Sequence, residues 1–189
     1  MTQKVSLYQD EITTTIYYHT GTNWEDQRCP AHSINLTGLA NDPTRDQYSN
    51  ALLFSGTAKN SIYGTFQIPH SWREGSCILP HIHWQSTHTD IGNVAWMFEY
   101  DIASLWTSFV GVNYQTGITD TTNGDINYHH ITDLPPVNSC KYKLSSIIKW
   151  KLSRLGANAL DTYNHDVALL EFDIHYEIGT VGSGETFQK

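Results

Sequence analysis

The sequence of 189 residues predicts an all-β protein, an antiparallel jelly-roll β-sandwich with an extended N-terminal arm. Charged residues make up only 16% of the chain and aromatic residues 12%, a composition typical of β-sheets. Gly, Asn, Asp and Thr recur along the whole length, which is typical of short strands joined by turns. About eight strand segments follow residue 50, and antiparallel strands with one buried face pack as two sheets.

Three segments predict the strands most clearly, because apolar and polar residues alternate in them with period two. In residues 94–102 every second position, from Val94 to Ile102, is apolar. Within residues 141–155 the pattern places Ile148, Trp150 and Leu152 on one face. Within residues 167–178 it directs five apolar residues inward: Leu170, Phe172, Ile174, Tyr176 and Ile178. The four residues between them are directed outward: Glu171, Asp173, His175 and Glu177. Further strands are predicted at residues 12–18, 51–54, 62–68, 77–85, 109–114 and 128–133.

The segments between these strands divide the chain into three parts. Residues 1–50 are irregular and predict an N-terminal arm or extension that packs on its own domain or on a neighbour. Residues 51–179 form the predicted sandwich, and residues 180–189 a polar tail. Within the sandwich, residues 89–93 (TDIGN) predict a tight hairpin turn, and residues 116–127 a polar loop.

Charge and hydropathy exclude several classes of partner. The formal net charge of -8 argues against nucleic acid, because binding phosphates requires a surface rich in Lys and Arg. No apolar stretch is long enough to span a bilayer, and the N-terminus lacks the apolar core of a signal peptide. Cys29, Cys77 and Cys140 are odd in number and widely spaced, which predicts free, buried thiols in a reducing compartment.

One histidine motif invites comparison with a metalloenzyme. Gly75 is followed after five residues by the pair His81 and His83, which is similar to the first metal motif of cupins. Residues two apart on a strand share a face, so both imidazoles could reach one ion. However, Thr87 and His88 stand where that motif requires Glu, and its second half has no match. We therefore expect structural or surface histidines, with His81 and His83 only weak candidates for a metal, and predict no cofactor.

No pattern of a catalytic nucleophile, a phosphate-binding loop or a dinucleotide site is present, so the sequence predicts a protein that is not an enzyme. Among six Trp, Trp24, Trp72 and Trp106 fall in or near predicted loops and are the candidate interface residues. Aromatic rings in loops also suit sugar binding, which is a second interpretation of the same residues.

Several segments together resemble a family of uncharacterised tailed-phage and prophage proteins from virion gene clusters. They are FQIPHSWREGS (66–76), PHIHW (80–84), GNVAWMFEY (92–100) and ALLEFDIHYEI (168–178), with DQRCP (26–30) upstream. The resemblance covers roughly residues 24–189. It implies a virion structural protein, such as a capsid decoration (cement) protein or a head–tail or tail appendage subunit, and it offers no catalytic residue.

These expectations define three hypotheses. The first is a virion subunit, made in the host cytoplasm, that forms a homo-oligomer, expected to be a trimer, and binds major capsid or tail proteins through its arm and surface Trp. The second is a receptor- or carbohydrate-binding appendage with exposed aromatic loops. The third is a cupin-type enzyme, which would require His81 and His83 to line the inside of the barrel.

Overall fold

The computed structural model describes residues 21–184 in full and the backbone of residues 3–9 and 12–18. Its strands are β1 (Gln3–Gln9), β2 (Ile12–Tyr18), β3 (Trp24–Pro30), β4 (Thr44–Arg45), β5 (Leu52–Phe54), β6 (Lys59–Gln67), β7 (Ile78–Ser86), β8 (Asn93–Ala103), β9 (Asn113–Thr121), β10 (His129–Asp133), β11 (Ile147–Leu155) and β12 (Val167–Glu177). A single 3-10 turn, Ala31–Ser33, is the one helical element of the described residues, and none of them forms a helix suited to crossing a bilayer.

The chain forms a jelly-roll β-sandwich of two antiparallel sheets, as predicted. One sheet has the order β10-β7-β12-β5-β4, with β3 also paired to β12, and the other has the order β6-β11-β8-β9. Successive strands from β6 to β8, and again from β9 to β12, alternate between the two sheets. Strands β1 and β2 pair with each other in a separate two-stranded sheet.

The core lies between the two sheets and is built from the predicted alternation. The inward residues of β8 and β11 are all buried: Val94, Trp96, Phe98, Tyr100, Ile102, Ile148, Trp150 and Leu152. Opposite them, the larger sheet contributes Phe54, Ile82, Trp84 and Phe172. Phe172 contacts both Phe66 and Trp150, with ring centroids 5.7 and 4.7 Å away. Aromatic contacts between the sheets therefore fix how the two layers pack.

Strand β12 departs from its predicted alternation at one residue. The pairing register with β7 shifts between Leu169 and Glu171, so Leu170 forms a β-bulge. Leu169 is fully buried and Leu170 only half-buried, so the prediction that Leu170 faces inward is wrong. Beyond the bulge the predicted phase returns, because Phe172 and Ile174 are buried.

The position of β9 differs from the prediction. Residues 109–112 are not a strand, and the predicted loop 116–127 is strand as far as Thr121. The edge position of β9 exposes both of its faces, so its sequence lacks an apolar alternation. Gly117, at φ +74°, lies where the register with β8 shifts between Trp96 and Phe98, which is the geometry of a glycine bulge.

The segment predicted as a hairpin turn, residues 89–93, instead crosses between the sheets. It joins β7 in one sheet to β8 in the other, and these two strands do not pair. Gly92 packs directly against the backbone of Tyr163, where an added Cβ would come within 2.9 Å. The glycine therefore permits close approach of two loops and does not form a two-residue turn.

Part of the predicted N-terminal extension packs on the chain's own sandwich. Within residues 1–50, β3 pairs with β12 and β4 pairs with β5. The three cysteines are free, as predicted, but Cys77 and Cys140 are exposed and Cys29 is half-buried. The expectation of buried thiols is therefore wrong for Cys77 and Cys140, which lie in loops outside the strands.

Gly64 in β6 leaves space for the indole of Trp150, its cross-strand partner in β11. A Cβ at this position would lie 2.3 Å from Cζ2 of Trp150. We expect Gly64→Ala to lower the free energy of unfolding by about 1–3 kcal/mol, because a packed ring must move. Urea unfolding measures this effect. In a protein that already carries Trp150→Leu, Gly64→Ala should lower the free energy of unfolding only slightly. An equal loss of unfolding free energy with and without Trp150→Leu would contradict this explanation.

Candidate functional site

Four histidines and an aspartate gather on the outer face of the larger sheet. His81 and His83 lie on β7, Asp173 and His175 on β12, and His129 on β10. The inward neighbours Ile82 and Phe172 fix this orientation, since successive side chains on a strand point to opposite faces. We call these five residues the outer-face histidine cluster. The register places His81 opposite Asp173, and His83 opposite Glu171.

Asp173 is the centre of the cluster and is almost completely buried, with 3% of the residue exposed. Nε2 of His81 lies 2.8 Å from Oδ1 of Asp173, and Nε2 of His83 lies 3.6 Å from Oδ2. Despite the short distance, Oδ1 accepts no hydrogen bond from any described residue. Nε2 of His81 is therefore near the carboxylate without pointing an N–H at Oδ1.

The arginine nearest to this carboxylate binds a different one. Arg28 in β3 lies opposite Asp173 in the sheet register. Its Nε and Nη2 instead donate to the two carboxylate oxygens of Glu171, both at 2.6 Å. Asp173 thus keeps a buried negative charge whose close neighbours are imidazoles. Such a burial is costly unless a cation compensates it.

The surrounding groups hold the imidazole rings in position. Nδ1 of His83 and Nε2 of His129 share a hydrogen bond of 2.8 Å, so one ring donates and the other accepts. The His175 ring packs on His81 with centroids 4.1 Å apart, and its Nε2 reaches Oδ1 of Asp26 at 2.5 Å. These contacts form a continuous polar layer across four strands.

The environment shifts the pKa values of the two β7 histidines in opposite directions. Burial acts to lower the pKa of His81, but the carboxylate of Asp173 and the backbone of Leu79 outweigh it, and the pKa is raised. Burial is also the largest influence on His83 and, with the neighbouring His81 and His129, lowers its pKa despite Asp173. His83 is therefore favoured as a neutral imidazole, the form that binds metal ions.

A second histidine group lies at the loops 87–92 and 156–166. Nε2 of His165 donates to Oδ2 of Asp90 at 2.8 Å, and the rings of His88 and His165 stack 3.9 Å apart. The hydrogen bond from His165 is the main cause of the lowered pKa of Asp90. The backbone N–H of Asp90 donates to Nδ1 of His88, so that nitrogen is already occupied. All three residues are partly or fully exposed.

An exposed apolar segment lies on the opposite sheet. Between β8 and β9, Trp106 and Val110 are each 81% exposed, and Tyr114, the second residue of β9, is 66% exposed. Phe109 packs under the ammonium group of Lys149, 3.6 Å from its ring centroid. A groove of about 230 Å³ adjoins this segment, with Val112 in its wall. We call residues 104–114 the β8–β9 segment.

The candidate residues from the sequence analysis do not form one site in the structure. His81 and His83 share a face, as their spacing implies, but it is the outer face, whereas a cupin-type site would need the inside. Trp24 and Trp106 are exposed, but Trp72 is fully buried and forms a bridge with Ile178. Burial in the core excludes the predicted interface role for Trp72.

Sequence reasoning missed the aspartate of the cluster. Asp173 was expected to point outward to solvent, and it does lie on the outer face, but it is only 3% exposed there. Its outward phase on β12 could be predicted, but its register against His81 depends on pairing between distant strands.

Comparison with known proteins provides little further information. No family model matches the sequence, and no curated protein matches it. One solved structure with a similar chain trace is TmCBM61 in complex with β-1,4-galactotriose. The identity is 8% and the TM-score 0.33, over 82% of this chain and 88% of that chain.

Proposed function

We propose that the protein is a structural subunit of a tailed-phage or prophage virion, which acts by protein–protein contact and carries out no catalysis. The sequence resemblance suggests the virion setting. The observation that supports an assembly role is the β8–β9 segment together with the edge strand that follows it. Residues 104–119 contain no Asp, Glu, Lys or Arg, although much of this stretch is exposed.

An exposed edge strand with only one charged residue, Asp120 near its end, is unusual in a protein that functions as a free monomer. Sheet edges present unpaired backbone groups, and soluble proteins protect them with charges, prolines, β-bulges or covering loops. Strand β9 has the bulge at Gly117 and the charge of Asp120, but no proline. Strand β9 is the last strand of its sheet, and Trp106, Val110 and Tyr114 are exposed at or just before its start. Exposed apolar patches of this kind mark interaction sites, and aromatic residues are enriched in such interfaces.

The occupant we propose for this surface is a second copy of the same chain. An edge strand can pair with a different edge strand of a neighbouring copy, and such head-to-tail contacts close into a ring that leaves no open edge for further growth. The contacts within one chain also fit, since Lys149 covers Phe109, whereas among the described residues Trp106 and Val110 remain 81% exposed. A homo-oligomer, expected to be a trimer, would then contact capsid or tail proteins through its remaining surfaces.

We expect the double variant Trp106→Ser/Val110→Ser to dissociate the oligomer, because it removes the apolar area at the proposed contact. Native mass spectrometry of the purified full chain measures this. The matched control is Tyr48→Ser, which removes an aromatic residue that is 99% exposed on another loop and should leave the oligomer intact. A wild-type protein that is monomeric at micromolar concentration would overturn the self-association step.

The virion setting is tested separately. Particles purified on a density gradient from a lysate of the cells that carry the gene should contain the protein at a fixed ratio to the major capsid protein. Absence of the protein from such particles would refute the proposed role, whatever its oligomeric state.

A receptor- or carbohydrate-binding appendage is the second candidate, favoured by the exposed indoles of Trp24 and Trp106. Flat aromatic faces in loops can stack on sugar rings. This function predicts that oligosaccharides change the tryptophan fluorescence and that Trp106→Ser abolishes the change without altering the oligomeric state. The two candidates therefore differ in the expected oligomeric state: the Trp106→Ser/Val110→Ser variant dissociates under the assembly role and keeps its oligomeric state under sugar binding.

A further inference from the structure

We propose that His81, His83 and Asp173 form a binding site for one divalent transition-metal ion of the zinc class. One nitrogen from each histidine and one carboxylate oxygen lie within 4.8 Å of one another. Two imidazoles and a carboxylate are a donor set suited to Zn²⁺, Fe²⁺ or Co²⁺, and three protein ligands leave a position for water. This site is independent of the proposed assembly role, which depends on the opposite sheet.

The fold holds the three ligands in place without any loop. His81 and His83 are two residues apart on β7, and the hydrogen-bonded register of β12 brings Asp173 opposite His81. Strand β7 is flanked by β10 and β12 in the sheet. Ligands on such interior strands are positioned more rigidly than ligands on loops, which reduces the cost of ordering them around an ion.

The state of Asp173 is the observation that indicates an ion. Its carboxylate is buried, and its Oδ1 accepts no hydrogen bond from any described residue although Nε2 of His81 is only 2.8 Å away. A simple ion pair with a protonated His81 would direct the N–H at that oxygen. A buried acceptor without a hydrogen bond requires another compensating partner, and a cation shared with the two imidazoles would supply it.

The groups behind the ligands also suit a metal site. Metal-binding histidines usually donate their second ring N–H to another acceptor, which fixes the tautomer. Nδ1 of His83 is hydrogen-bonded to Nε2 of His129. The side chain of His83 is 21% exposed, so the ion could be reached by solvent and completed by water.

The other histidine group does not share these features. At His88, Asp90 and His165, Oδ2 of Asp90 already accepts from His165, and Nδ1 of His88 accepts from the backbone. Asp90 is 64% exposed, so solvent stabilises its charge without an ion. This group serves as a built-in control for non-specific metal binding by surface histidines.

The experiment uses the full chain after removal of metal with a chelator. Zn²⁺ is added and followed by isothermal titration calorimetry and native mass spectrometry, and Co²⁺ is added and followed by visible absorption. We expect one ion per chain and a Co²⁺ spectrum that indicates nitrogen and oxygen ligands. Asp173→Asn and His83→Gln should each weaken Zn²⁺ binding by about 100-fold or more. His165→Gln, in the other histidine group, should bind as the wild type does.

Zn²⁺ at about 100 times its dissociation constant should also raise the melting temperature of the wild type by about 5 °C or more. Circular dichroism checks that each variant is folded, and if Asp173→Asn does not fold, the more exposed His83→Gln decides the result. Absence of Zn²⁺ binding by the wild type overturns the proposal. It is equally overturned if His165→Gln loses the ion while His83→Gln retains it, because the ion would then lie in the other group.

Discussion

Replacing Arg154 by Met, or Asp161 by Asn, is expected to lower the free energy of unfolding by about 3–5 kcal/mol, because each change leaves an unpaired charge in the core. Both side chains are fully buried. Nε and Nη2 of Arg154 donate to the two carboxylate oxygens of Asp161, each at 2.9 Å. This bidentate geometry is the one in which a guanidinium group best matches a carboxylate.

The pair also holds three parts of the chain together. Nη1 of Arg154 donates to the carbonyl oxygens of Phe54 and His165, at 2.9 and 2.7 Å, and Nη2 donates to that of Tyr163. Oδ2 of Asp161 accepts from the backbone N–H of Ala95 at 3.0 Å. Loss of one partner therefore leaves several backbone groups unsatisfied as well as one charge.

Urea unfolding followed by tryptophan fluorescence measures the expected loss. Arg28→Gln is the control, because Arg28 makes an even shorter pair with Glu171, at 2.6 Å, but is 66% exposed, and exposed pairs contribute about 0–1 kcal/mol. The double variant Arg154→Met/Asp161→Leu should recover part of the stability, since it removes both charges together. A single variant as stable as Arg28→Gln would show that the buried pair is not essential.

Strands with one buried face could be predicted from the sequence because their signal is local. Trp96 and Phe98 alternate with Met97 in β8 whatever the partner strand is. The sequence analysis misplaced strand β9 because both of its faces are exposed, so its apolar and polar residues do not alternate. Leu170 was misassigned because a bulge adds one residue without any change in composition.

The candidate metal site could be only half predicted, for a related reason. The spacing of His81 and His83 places both on one face, but alternation alone does not say whether that face is inside or outside. Asp173 reaches them only through the pairing of β7 with β12, two strands far apart in the sequence. Register between distant strands is set by the whole packed sandwich, so a single sequence does not reveal it.

Trp96→Ala is expected to cost about 3–5 kcal/mol of unfolding free energy, the range for removing a large aromatic side chain from a packed core. Trp96 is fully buried in β8 and contacts the other sheet through Phe54 and Trp84, at centroid distances of 5.6 and 6.4 Å. The cavity left by the indole would lie between the two sheets. Neither sheet can close this space without moving as a whole.

A matched comparison with Trp84 separates packing from hydrogen bonding. Nε1 of Trp84 donates to Oγ1 of Thr132 at 2.8 Å, whereas Nε1 of Trp96 has no hydrogen-bond partner among the described residues. Substitution of Trp by Phe removes a similar side-chain volume at both positions. Only at Trp84 does this substitution also remove a buried hydrogen bond. Trp84→Phe should therefore cost about 1 kcal/mol more than Trp96→Phe in urea unfolding. Equal losses would mean that volume alone determines the contribution of these two indoles to stability.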